Sequence, residues 1–241
     1  MRLPLADAVA LIMTSTKALS VNGLVPPTDF PSADFEAVDA KLTPHSGHSA
    51  HKHFIGAWNA ISYRYMAFAE YDQQFTASVV MHGPGPGHPI RFEQERDLFG
   101  FFSSGVSVFD AFCFGTFAIG ALTGSTDFCL VSAKDEEVRW KSLLSAYTKS
   151  FATDPVVPML KRIDTDRALV EIRAVRNVLT HRAAPPRQFA LKVGPQAIPT
   201  ARISRVNLTL DKNTTASRRK EIAQLLSLGL SGVRSFVDAR L

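Results

Sequence analysis

The chain of 241 residues is long enough to bury a sizeable hydrophobic core, either as one large domain or as one domain with additions. Its 46% hydrophobic and 20% charged residues argue against intrinsic disorder, and its two cysteines argue against a disulfide-dense secreted module. The net charge of +5 is unevenly distributed: residues 134–241 carry 20 Lys and Arg against 10 Asp and Glu, whereas residues 1–133 carry 7 against 12. A basic half of this kind suits a polyanionic partner such as nucleic acid, and a basic surface without a partner is the alternative.

The N-terminal residues briefly resemble a signal peptide. Asp7 interrupts the apolar run, and residues Thr14 to Lys17 end it too early for a signal sequence. No stretch approaches the roughly 18 unbroken apolar residues that a membrane span needs, since polar residues and glycines interrupt the longest candidate, Leu98 to Leu122. We therefore expect a cytoplasmic protein that has no membrane partner.

The first half of the chain predicts helices separated by proline-rich connections. A short helix over residues 5–19 leads into a loop that reaches about Pro44, and a long helix with apolar residues at three- and four-residue steps covers 49–80. A glycine- and proline-rich linker over 83–89 precedes a second long helix over 93–122. Apolar residues nearly encircle this second helix, so we expect it to be the buried helix of a bundle, with its glycines allowing close helix approach.

The second half predicts shorter helices and then a change of period. Three helices are expected over residues 134–151, 154–163 and 164–182. After the prolines at 185 and 186, apolar and polar residues alternate over 188–193 and 201–208, which is typical of a β-hairpin. A last helix is expected over residues 215–239.

These elements predict a mainly α-helical bundle with a small β-hairpin late in the chain. We divide the chain into an N-terminal helical region with its linker, a helical core, and a hairpin with a final helix that pack on this core. The N-terminal region is either separate or part of the same bundle. The three parts cover residues 1–95, 96–186 and 187–241.

The segment with the most chemical content closes the helix expected over 164–182 and contains Arg176, Asn177 and His181. Residues four apart share a helix face, so Asn177 and His181 should align, with Arg173 one turn earlier. Arg176 and His181, five apart, differ by about 140° on an ideal helix. Arg176 must therefore reach around the helix, or the helix must loosen near His181, where the nearby Pro185 disfavours helical backbone.

This pattern resembles the motif of the HEPN superfamily of helical RNases, in which an arginine, often followed by a polar residue, precedes a histidine by four to six intervening residues. The resemblance implies metal-independent cleavage of RNA that needs no cofactor and leaves 2′,3′-cyclic phosphate ends. His181 would be the general acid and base, Arg176 would hold the scissile phosphate, and Asn177 would position it. The family also implies a homodimer that brings two motifs into one cleft, and a toxin or phage-defence setting with an antitoxin partner.

Further residues are expected to support this site. Several HEPN families place an acidic residue on an earlier core helix facing the motif, and Asp110 in the apolar helix would orient Arg176 in this way, with Asp97 as the less buried alternative. The other interpretation of Asp110 is a carboxylate that faces solvent. For contacts with the RNA backbone the sequence offers Arg182, Arg202 and Arg205.

Two alternatives stay open at the level of the sequence. The first is a catalytically inactive HEPN-like module that binds nucleic acid or protein, in which His181 would cap the helix C-terminus. The second is a metal-binding protein that uses a cluster of four histidines near the start of the first long helix. This cluster contains no Cys, Asp or Glu, and its members are His45, His48, His51 and His53.

Overall fold

A computed structural model describes residues 23–130, 138–180, 186–190 and 200–241. Within these ranges the protein contains seven α-helices and one small antiparallel sheet. The helices are α1 (Ser32–Leu42), α2 (His51–His82), α3 (His88–Leu122), α4 (Trp140–Ser150), α5 (Val156–Asp164), α6 (Arg167–Leu179) and α7 (Ala216–Arg240). The strands are β1 (Arg187–Ala190), β2 (Thr200–Ile203) and β3 (Leu208–Leu210).

The long helices α2 and α3 form an antiparallel pair at the centre of the fold. Glycines of α3 bring the two backbones close together. A Cβ atom at Gly115 would lie 3.3 Å from Cβ of Ala57, and one at Gly105 would lie 2.8 Å from Cε2 of Phe68. The expectation that these glycines serve close helix approach is therefore consistent with the packing.

The helix α3 is almost entirely enclosed by the other elements. Among the described helices it alone is long and apolar enough to cross a membrane by length and composition, and 83% of the qualifying window is buried inside the fold. Such burial is what the core helix of a bundle requires. The domain boundary placed after residue 95 falls within this helix.

The helix α1 was not predicted, since a loop was expected up to Pro44. Its Phe35 and Val38 are buried, and the ring of Phe35 stacks on Trp58 of α2 with the centroids 5.2 Å apart. The indole Nε1 of Trp58 donates a hydrogen bond of 3.1 Å to the backbone oxygen of Phe35. The helix is therefore stabilised by contacts with α2, which the proline-rich surroundings in the sequence do not reveal.

The late β region is a three-stranded sheet rather than the expected two-stranded hairpin. The run predicted as one strand over 201–208 divides at Asn207, whose φ of +53° turns the chain back so that Ile203 pairs with Leu208. Ile203 and Leu208 are buried, whereas Arg202 between the buried positions is exposed. The alternation indicated a strand correctly, but it did not reveal the tight turn.

A buried arginine anchors this sheet to α3. The guanidinium of Arg187 at the start of β1 donates to Glu95 Oε1 (2.7 Å), to Gln94 Oε1 (2.7 Å) and to the backbone oxygen of Pro84 (2.9 Å). Its side chain is completely buried, so these acceptors offset the loss of hydration.

The prediction of a mainly helical bundle with a small antiparallel β element late in the chain is confirmed. The helices begin and end within six residues of the expected positions, with the largest differences at the starts of α4, at Trp140 rather than residue 134, and of α3, at His88 rather than Glu93. The helix expected over 5–19 and the first residues of the one expected over 134–151 lie outside the described residues.

Gly105→Ala is expected to lower the free energy of unfolding by about 1 kcal/mol or more, although alanine is the better helix former. The added methyl group would press on Phe68, whose ring is fully buried and stacked on Phe101 at 4.2 Å. Gly56→Ala is the matched control, because nothing lies within 4 Å of a Cβ at Gly56, and it should stabilise the protein by about 1 kcal/mol. Urea denaturation measures both changes, and a stabilised Gly105→Ala variant would contradict the close approach.

Candidate functional site

The described motif residues, Arg176 and Asn177, lie at the C-terminal end of α6. Asp166 caps the N-terminus of this helix by accepting a 2.8 Å hydrogen bond from the backbone N–H of Ala168. Ile172 and Val175 belong to the buried face that docks the helix on the core. The helix ends at Leu179, three residues earlier than predicted. The polar end of α6 is therefore held at the surface by an apolar face and a capped start.

Arg173 is tied to the neighbouring helices. Its Nη1 forms an ion pair of 3.0 Å with Oδ1 of Asp164 at the end of α5. Its guanidinium also lies over the ring of Trp140 at the start of α4, 5.6 Å from the centroid. Because this side chain connects α6 to α5 and α4, Arg173 helps to position the motif helix.

Arg176 is different, because its guanidinium is not used by the fold. The residue is half-buried, and its Nε is buried without a hydrogen-bond acceptor. Over the ranges that the structure describes, no hydrogen bond or ion pair involves this side chain, and its positive charge acts on the carboxyl of Asp110. The guanidinium donors of Arg176 are therefore unused among the described residues.

Asp110 lies on α3 and is exposed, as the alternative interpretation of a carboxylate that faces solvent expected. Desolvation by the neighbouring atoms raises the pKa of its carboxyl above the usual range, while the positive charges of Arg173, Arg176 and Arg64 act to lower it. The carboxylate is thus exposed and still within electrostatic range of the motif helix. Asp110 forms no ion pair with Arg176 among the described residues, and its orienting role stays a prediction.

The alternative acidic residue, Asp97, was placed wrongly. It was expected to be less buried than Asp110, yet it is 2% exposed, and its Oδ1 is paired with Nη2 of Arg96 at 2.7 Å. A carboxylate this deeply buried needs a fixed partner, and Arg96 supplies it.

The remaining residues of the predicted site are only partly described. Asn177 is exposed on the last turn of α6, and its backbone oxygen accepts a 3.0 Å hydrogen bond from the Thr180 hydroxyl. His181 and Arg182 follow directly in the sequence and lie outside the described residues.

Two of the predicted RNA-contact residues, Arg202 and Arg205, are exposed. Arg202 lies on the outer face of β2, and Arg205 lies in the short 3-10 turn Ser204–Val206, which packs against α6. The side chain of Arg205 is therefore accessible beside the motif helix, and that of Arg202 is accessible on the sheet.

The four histidines of the alternative metal site have separate local contacts. Nδ1 of His48 accepts a 3.1 Å hydrogen bond from the backbone N–H of Ala50, at the start of α2. The ring of His53 instead lies edge-on to Phe114 of α3, with the centroids 6.0 Å apart. Across the described ranges, which contain all four histidines, no group of three or more potential ligands is arranged to hold a metal ion.

The sequence did not single out Arg64, although its charge acts on Asp110 from α2. Its Nη1 donates a 3.0 Å hydrogen bond to the backbone oxygen of Ser107, one turn before Asp110. The proximity of Arg64 to Asp110 depends on the register between α2 and α3. The only sequence feature that points to this register is the spacing of the α3 glycines.

Comparisons with protein-family models, with curated proteins and with solved structures each yield no match to this chain.

Arg173→Ala and Arg176→Ala should differ in their effect on stability. Loss of the ion pair with Asp164 and of the contact with Trp140 should lower the free energy of unfolding by about 1–2 kcal/mol in Arg173→Ala. Arg176→Ala breaks no hydrogen bond among the described residues and should cost less than about 0.5 kcal/mol. Chemical denaturation compares the two variants, and an equal or larger loss in Arg176→Ala would show that this side chain also supports the fold.

Proposed function

We propose that the protein is a HEPN-type, metal-independent endoribonuclease in which Arg176 and His181 are the catalytic pair. The observation that supports this proposal most directly is the guanidinium of Arg176, which is half-buried beside Asp110 and has no ion-pair partner within the described ranges. A structural arginine would be expected to have such a partner, as Arg173 does. An arginine that binds a phosphate must keep its donors available.

In the proposed reaction the ribose 2′-oxygen attacks the adjacent phosphorus, so that the O2′–P bond forms and the P–O5′ bond breaks. One group takes the proton of the 2′-hydroxyl, and one group gives a proton to the leaving O5′. The products are a 2′,3′-cyclic phosphate and a 5′-hydroxyl, and no further reactant is consumed. A histidine is suited to both proton transfers, because its unperturbed pKa lies near neutrality.

The roles of the chain's residues follow from this chemistry. Arg176 would hold the non-bridging phosphate oxygens and stabilise the charge that develops on them. Asp110 would keep the Arg176 guanidinium oriented, since it is the carboxylate within electrostatic range of it. Asn177, exposed on the same turn, would donate to the substrate, and His181 would transfer the protons.

The surrounding surface has the charge that an RNA substrate requires. Residues 134–241 carry an excess of ten positive charges, 20 against 10. Arg205 is exposed in the turn that packs against α6, and Arg202 is exposed on β2; we propose that both contact the RNA backbone together with Arg182. The same family resemblance leads us to propose a cytoplasmic toxin or phage-defence role and an antitoxin that restrains the enzyme.

Purified protein is expected to cleave single-stranded RNA equally in the presence and absence of EDTA. His181→Ala should lower the rate by about 10²–10⁴-fold and Arg176→Ala by about 10²–10³-fold. The matched controls are Arg167→Ala, an exposed arginine at the opposite end of α6, and His82→Ala, an exposed histidine on α2. Gel analysis of labelled RNA measures the rates.

Undiminished cleavage by His181→Ala and Arg176→Ala would contradict the assignment of these residues. Binding of RNA without any cleavage by the wild-type protein would instead favour the catalytically inactive HEPN-like module.

We also propose that the active species is a homodimer, in which two copies of the motif share one cleft and provide two histidines for the two proton transfers. An excess of His181→Ala subunits mixed with wild-type protein should then lower the activity well below that of the same amount of wild-type protein alone, because a mixed dimer provides only one of the two histidines. Sedimentation equilibrium of the wild-type protein should give the dimer mass at the concentrations where it cleaves RNA. A fully active monomer would contradict this proposal.

A further inference from the structure

A cleft between α2 and α3 adjoins the proposed active site. It has a volume of about 350 Å³, and we call it the α2–α3 cleft. Lys52, Gly56 and Arg64 line it from α2, and Asp110 and Phe114 line it from α3. Asp110 lines this cleft, and its carboxyl is also within electrostatic range of Arg176, so the cleft opens on the side of α3 that faces the motif helix.

The α2 side of the cleft is positively charged. From His51 to Arg64 the helix contains Lys52 and Arg64 but no Asp or Glu. Lys52 is exposed in the first turn of α2, where the helix dipole adds positive potential. This side of the cleft therefore attracts anions.

Arg64 is held at the end of the cleft nearest the motif. One guanidinium nitrogen donates to the backbone oxygen of Ser107, which fixes the side chain across α3. The side chain is exposed, so its other donors face solvent beside Asp110. Arg64 and Arg176 therefore approach Asp110 from two different helices.

The distance between Lys52 and Arg64 along α2 favours an extended ligand. Lys52 and Arg64 are 12 positions apart in the sequence, which corresponds to about 18 Å along the helix axis. Separate phosphates along one nucleic-acid strand match two cations whose backbone positions are this far apart better than a single compact anion does. Between them, Gly56 leaves open space, since nothing lies within 4 Å of a Cβ at this position.

We propose that the α2–α3 cleft binds the backbone of single-stranded RNA next to the scissile phosphate, with one phosphate at Arg64 and another at Lys52. This inference rests on the proposed ribonuclease function, because it extends the path of the same substrate away from Arg176. Phe114, half-buried in the cleft, provides an aromatic surface for an unstacked base.

The test measures binding separately from cleavage. Fluorescence anisotropy with a labelled homopolymeric single-stranded RNA is recorded over a series of salt concentrations, with all variants made in the full chain that carries His181→Ala so that the probe stays intact. Lys52→Gln and Arg64→Gln should each weaken binding several-fold. Each should also reduce the slope of log affinity against log salt concentration by about 0.7, the value of one phosphate contact on a single strand.

Lys212→Gln is the charge control. Lys212 is exposed in the turn before α7, where the Thr215 hydroxyl lies 3.3 Å from that of Thr76 on α2. Thr76 and Lys52 are 24 positions apart, about 36 Å along the axis of α2. Lys212→Gln should therefore leave the salt slope unchanged.

A second pair of variants tests the cleft by its shape. Gly56→Leu should weaken RNA binding about tenfold, because it places a side chain in the cleft at a position where an added Cβ atom meets no protein atom within 4 Å. Gly47→Leu is the matched control, since it also enters open space but lies outside the cleft. Thermal unfolding of each variant verifies that the fold is intact.

The outcomes separate this inference from the proposed function. If wild-type protein cleaves RNA but Lys52→Gln and Gly56→Leu bind like their controls, the cleft is not on the RNA path, and the inference is overturned while the nuclease stands. If binding depends on the cleft but the wild-type protein does not cleave, the nuclease proposal fails and the RNA-binding cleft remains. Absence of RNA binding at every salt concentration overturns the inference.

Discussion

The close approach of α2, α3 and α6 at Gly105 determines where the candidate site lies. A Cβ at this position would lie 2.8 Å from Phe68 of α2 and 3.4 Å from Ile172 of α6, so three helices meet at a residue that has no side chain. Asp110 follows five residues later on α3, and Arg176 follows Ile172 by one turn on α6. Because the helices pack this closely, the carboxylate and the guanidinium come within electrostatic range without belonging to the core.

Two arginines of the motif helix, Arg173 and Arg176, differ in whether they contact the rest of the fold. Arg173 has an ion pair and an aromatic contact that hold α6 against α5 and α4, and its position is thereby fixed. Arg176, one turn later, depends on that fixed helix for its placement but forms no comparable contact within the described ranges. A phosphate-binding group is most effective when its position is set by neighbours and its donors are free, since little reorganisation is then needed on binding.

The sequence predicted the parts of the protein that depend on local pattern. Encircling apolar residues correctly indicated that α3 is buried, and the motif segment was correctly placed at the end of a helix. Elements that depend on tertiary contacts were missed: α1 is stabilised by Trp58, and the turn at Asn207 divides a run that alternates regularly. The same limit applies to the site, because the proximity of Arg64 to Asp110 follows from the register of two long helices and has no local signature.

The chemical structure of the RNA ends produced in EDTA tests the central claim most directly. Attack by a 2′-hydroxyl, with His181 transferring protons and Arg176 stabilising the phosphate, can leave only a 2′,3′-cyclic phosphate and a 5′-hydroxyl. Mass spectrometry of the cleaved oligonucleotides identifies these ends, and a substrate with a 2′-deoxyribose at the cleavage position should remain intact. Products with a 3′-hydroxyl and a 5′-phosphate, or cleavage of the 2′-deoxy substrate, would contradict the proposed mechanism.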